Sequence, residues 1–72
     1  MTNTNLLEKK IEKSGLKKKY IAEKLSLSVN SLTAKIKNKS QFTADQIKLL
    51  CRILGIETLG EMEAIFFANE VD

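Results

Sequence analysis

The sequence has no histidine, no proline, one cysteine and only three glycines among 72 residues. Without histidine the commonest acid–base side chain is missing. There is no glycine-rich phosphate loop and no traceable acid–base constellation, so no catalytic residue is assigned and no enzyme is expected. Cys51 has no partner for an internal disulfide. With no histidine to activate it, Cys51 reads as a small core residue rather than a nucleophile. One cysteine and no histidine make a poor metal-ligand set. No metal, cofactor or small-molecule ligand is therefore expected. No run of eighteen apolar residues exists, so no membrane span is expected. No signal-peptide pattern opens the sequence, which suits a cytoplasmic protein.

What is present suits one small domain over residues 1–72. Apolar residues make up 43% of the sequence, enough for a small helical core near the lower size limit for folding without staples. The charge is lopsided. Residues 1–40 hold ten lysines and three glutamates, +7; residues 41–72 hold two cations and six acids, −4. A basic front suits a polyanion such as DNA, and equally an acidic protein surface.

Helical periodicity divides the chain into five segments. The first runs from about Asn5 to Ser14, with Leu7 and Ile11 inward, Leu6 flanking them, and Asn5 with Glu8 at capping-box spacing. Residues 1–4 ahead of it are expected to fray. Gly15 ends this helix and Leu16 anchors the lead-in to the next. The second helix spans about Lys17–Leu25 and the third about Val29–Lys37. Phe42 packs down before the fourth helix, which Thr43 and Gln46 cap and Gly55 stops after Leu54. Thr58 with Glu61 forms another capping box, for a fifth helix over about Leu59–Ala68. The acidic tail from Asn69 to Asp72 is expected to be loose.

The stretch Gly15–Asn38 organises the rest. Ile21, Ala22 and Leu25 share one helix face, and Leu32 and Ile36 form the inward stripe of the next helix. Ser26 sits where the turn needs a small residue, Leu27 plugs the angle between the helices, and Ser28 caps the third helix. Ala22 is small where the helices pass closely. Asn38 suits the left-handed position that ends a helix. This spacing resembles the helix-turn-helix of the phage Cro and lysogeny-repressor family. The likeness rests on Gly15-Leu16, Ile21-Ala22, Leu25, Ser26-Leu27-Ser28, Leu32, Ile36 and Asn38, and covers about residues 5–56. It implies an all-α, compact five-helix, lambda-repressor-like domain, with the helix-turn-helix over about 17–37 and a C-terminal helix over about 59–68.

The family also implies where contacts lie. Its second helix-turn-helix helix enters the major groove with its N-terminal residues at base edges. The matching recognition-helix positions, for DNA or the repressor, are Ser28, Val29, Asn30, Thr33, Ala34 and Lys37, with Val29, Asn30, Thr33 and Ala34 facing bases and Lys37 beside the backbone at the helix end. Asn30 suits a bidentate contact to adenine, and Val29 and the Thr33 methyl suit thymine methyls. Lys17, Lys18 and Lys19 sit at the unfavourable positive end of a helix dipole, so they read as an anion-facing patch rather than mere solubilising charge. Lys35 and Lys39, with Lys37, lie at a helix C-terminus where cations are favoured in any case. Phe66 and Phe67 supply apolar surface; one of them left exposed would form an oligomer interface.

Two functions compete. The chain as a whole is similar to the small modulators of repression, or antirepressors, of lactococcal temperate phages. That resemblance implies a protein that binds the phage lysogeny repressor inside the bacterial host. The alternative is a Cro-like homodimer that binds double-stranded operator DNA by itself. The start of the third helix carries no outward arginine or glutamine, and Val29 stands there instead. The commonest specific base contact is thereby missing, which tilts the balance toward a protein partner.

Overall fold

The computed structural model describes residues 1–68. Its elements are α1 (Thr4–Ser14), α2 (Lys18–Lys24), α3 (Val29–Ile36), α4 (Ala44–Leu54) and α5 (Leu59–Phe66), with no strand among the described residues. The all-helical class and the five elements agree with the periodicity of the sequence. The predicted acidic tail from Asn69 lies outside the described residues.

The core forms where the inward stripes meet. Leu7 of α1, Ile21 of α2, Leu32 and Ile36 of α3, and Leu50 of α4 are fully buried. Each such side chain contributes roughly 1.5–3 kcal/mol of transfer free energy relative to exposure. Phe42, ahead of α4, meets Phe66 of α5 edge to face, with ring centroids 5.8 Å apart and planes at 87°. That geometry adds about 0.5–1.5 kcal/mol beyond area burial, and it locks α5 to the α3–α4 loop.

The helix ends follow local chemistry. Gly15 and Gly55 terminate α1 and α4 at φ values of 72° and 71°. Thr43 and Gln46 form the full reciprocal capping box of α4. Thr58 accepts from the Glu61 N–H, but the Glu61 carboxylate turns to Lys10 at 2.8 Å, so only half of that box forms. Helix α5 ends at Phe66 with Phe67 as its cap, two residues short of the expected Ala68.

The N-terminus departs from expectation. Residues 1–4 are docked rather than frayed. The Asn3 N–H donates to the Ile65 carbonyl, and Met1 and Ala68 exchange backbone hydrogen bonds. Thr2 is buried, donating its N–H to Asn38 Oδ1 and accepting from Asn38 Nδ2, both at 2.8 Å. Thr4 Oγ1 donates to the Ile36 carbonyl at 2.7 Å. The α1 cap also moves: Asn3, not Asn5, accepts from the Leu6 N–H. Glu8, the supposed partner of Asn5, pairs instead with Lys18 at 3.0 Å.

Asn38 therefore has two duties. Its backbone is left-handed at φ 65°, and its side chain holds the backbone N–H and carbonyl of Thr2. Asn38→Gly keeps the first duty and loses the second. It should cost about 1–3 kcal/mol, from two net hydrogen bonds of ~0.5–1.5 kcal/mol each. Asn38→Ala should cost a further ~1–2 kcal/mol of left-handed strain. Thermal melts followed by circular dichroism should rank native above Gly above Ala. A Gly variant as stable as the native chain would show that the Thr2 clamp contributes nothing.

Candidate interaction surface

Helices α2 and α3 are joined by a turn through Leu25–Ser28, and its geometry fixes which face α3 presents. The Ala22 carbonyl accepts from Leu25 and from Leu27, the latter at 2.8 Å. Ser26 takes a left-handed φ of 58°, which lets the chain reverse within three residues. Such a conformation costs a non-glycine residue on the order of 1–2 kcal/mol. Leu27 packs partly buried against the core, and Ala22 is buried where the two helices meet. The roles expected for Ala22, Ser26 and Leu27 thus rest on observed contacts.

Ser28 caps α3 by accepting from the Ser31 N–H at 3.1 Å, and its hydroxyl donates to Ser31 Oγ at 3.0 Å. Although exposed, it is occupied by the helix start. Burial of Leu32 and Ile36 turns Val29 and Asn30 outward, and Val29 is 41% exposed. Thr33 and Ala34 are only half-exposed, which leaves Val29, Asn30, Ser31 and Lys37 as the open part of the face. Ser31 was not among the expected contacts; its place beside Asn30 in the first turn of α3 was the available signal.

The lysines divide. Lys17 and Lys19 are exposed at the start of α2, whose first turn has no acidic residue and whose cap makes no side-chain hydrogen bond. Lys18 is different: its ammonium reaches back to both Glu8 oxygens, at 3.0 and 3.2 Å. It is not free-standing, because it bridges α1 and α2. An ion pair this exposed contributes at most about 1 kcal/mol. Lys35 is half-buried and donates to the Gln41 carbonyl at 2.6 Å, which ties α3 to the following loop. Lys37 and Lys39 stay exposed. Tyr20 lies 44% exposed, with Lys24 Nζ 5.4 Å from its ring centroid.

Phe66 and Phe67 part company as well. Phe66 is 4% exposed against Phe42, so it is core and not an interface residue. Phe67 is 56% exposed beside Met1 and remains available. Cys51 packs against the core; burial, and secondarily the Glu61 carboxylate, pushes its thiol above the ordinary value. At neutral pH it is a thiol and a weak nucleophile. Among the described residues no three metal-ligating side chains converge, and no helix is long and apolar enough to cross a membrane.

Comparison with known proteins returned no matching family model, no similar curated protein and no similar solved structure.

The two phenylalanines and Val29 supply a joint check. Phe66→Ala should destabilise by about 3–5 kcal/mol. Phe67→Ala and Val29→Asp should stay within about 0.5 kcal/mol of the native chain, as exposed substitutions do. Urea unfolding measures all three. A Val29→Asp chain that unfolds would place Val29 in the core and rotate α3.

Proposed function

We propose that α2 and α3 form a helix-turn-helix of the phage Cro and lysogeny-repressor type. On this reading the protein is a transcription regulator of a lytic/lysogenic switch, acting as an antirepressor of the modulator-of-repression kind. It works in the cytoplasm of the bacterial host. It binds the lysogeny repressor through the outward face of α3 and so changes which promoter is silenced.

The observation that carries this reading is Val29, apolar and 41% exposed in the first turn of α3, with neither arginine nor glutamine beside it. Asn30 is the one exposed side chain there suited to a bidentate base contact. Such a contact discriminates by about 1–3 kcal/mol, so a symmetric dimer gains roughly 2–6 kcal/mol. Specific operators are held about 4–10 kcal/mol tighter than random DNA. α3 therefore reaches at most the lower third of what sequence reading needs. An exposed valine ringed by small polar groups suits a protein surface, where an apolar centre with a polar rim is the usual arrangement.

The second reading is a Cro-like homodimer on operator DNA, with which the exposed Lys17, Lys19, Lys37 and Lys39 are compatible. Exposed lysines give phosphate contacts and a salt slope of about −0.9 per neutralised phosphate. Phe67 would then serve the dimer contact. The same lysines equally suit an acidic patch on a repressor, so they do not outweigh Val29.

Titration of the purified protein into switch-region DNA, with and without the cognate lysogeny repressor, separates the two. The antirepressor reading expects no specific shift by the protein alone and an altered or dissolved repressor–DNA complex. Val29→Asp should weaken that effect by about tenfold or more, about 1.4 kcal/mol. A specific shift by the protein alone would establish the Cro-like reading instead.

A further inference from the structure

We propose that the groove between α1 and α5 is a second docking site, shaped for an acidic protein segment that inserts one apolar side chain between lysines. The inference is independent of the reading of α3. Leu6, Lys9, Lys10 and Lys13 stand at i, i+3, i+4 and i+7 and so form one stripe of α1. Leu6 is 39% exposed, although it is apolar and surrounded by charge. Ala64 and the edge of Ile65 form the facing wall on α5, and the groove encloses about 230 Å³.

The charges around this apolar floor do not cancel. Lys10 is closed by Glu61 at 2.8 Å. Lys9 and Lys13 are exposed and form no ion pair among the described residues. Both ammonium groups lie on the C-terminal side of Leu6 along α1, and Glu12, which borders them, pairs with neither. The two ammonium groups stand one helical turn apart, roughly 6 Å along the axis, which matches carboxylates at i and i+4 on a facing helix.

Size and polarity select the occupant. Small-molecule sites enclose about 300–1,000 Å³, more than this groove offers. A cavity of about 150 Å³ already admits a benzene ring, so one leucine or phenylalanine side chain fits. A nucleic-acid backbone would satisfy the lysines but leave Leu6 and Ala64 against phosphate, gaining nothing from the apolar floor. An acidic segment with an apolar anchor uses both features.

The test selects peptides from a random library displayed on phage, using the full chain as bait and depleting against the L6E/K9E/K13E variant. Enriched peptides are then titrated by fluorescence anisotropy. All variants change exposed residues, and circular dichroism verifies their folds. The expected peptides carry two or more acids flanking a leucine or an aromatic residue. Lys9→Glu with Lys13→Glu should weaken them at least about tenfold, Leu6→Ala about three- to tenfold, and Val29→Asp not at all. No enrichment, peptides without acids, or affinity unchanged by the lysine reversals would overturn the proposal. So would duplex DNA displacing the peptides with an affinity that Leu6→Ala leaves unchanged, which would make the groove a phosphate site. Self-association abolished by Leu6→Glu would give the groove to a second copy and equally overturn the proposal.

Discussion

The constraint on which the rest depends is the complete burial of Leu32 and Ile36 in an eight-residue helix. Two inward residues four apart fix the rotation of α3, and the opposite side has nowhere to go but solvent. Val29 is exposed for that reason, not because valine prefers water. The turn at Ala22–Ser28 fixes one end of α3. The other end is held by Asn38 and by Thr4 Oγ1 on the Ile36 carbonyl. α3 is thus pinned at both ends and along one side, and its free face is presented rigidly. A rigid face loses little ordering entropy on binding, whatever it binds.

That rigidity comes from an unexpected source. The first three residues run alongside the end of α3 and the end of α5, and they join both by backbone hydrogen bonds and the Asn38 side chain. In a chain this short the core, fourteen apolar side chains among the described residues, is small. Contacts between residues 36 and 67 positions apart close loops that the core alone would leave to fray.

What was legible in the sequence was local. The caps at Ser28 and at Thr43 with Gln46, the stops at Gly15 and Gly55, and the left-handed Asn38 depend on residues within four positions of one another. Inward stripes are set by period alone, and they hold. The misreadings are all long-range. Asn3 and Asn5 lie two apart, and nothing within the segment says which caps α1; Thr4 reaching Ile36 and Glu8 reaching Lys18 decide it. Met62, Ile65 and Phe66 are spaced for one face and Phe67 only widens it; that Phe67 stays outside the core follows from the helix ending at Phe66 and from Phe66 packing on Phe42, distant in sequence. Lys18 looked free because its partner lies on another helix. In the candidate site, Val29 and Asn30 followed from period, whereas the partial withdrawal of Thr33, Ala34 and Lys35 depended on how neighbouring elements pack.

We propose the outward face of α3 as the contact surface for a lysogeny repressor. The most direct measurement is the amide spectrum of isotope-labelled protein titrated with the repressor's DNA-binding domain in the absence of DNA. The largest shifts are expected on Val29, Asn30, Ser31 and Lys37, at concentrations where switch-region duplex alone leaves those amides unmoved. Shifts confined to other faces, or produced at α3 by duplex alone and not by the repressor, would contradict it.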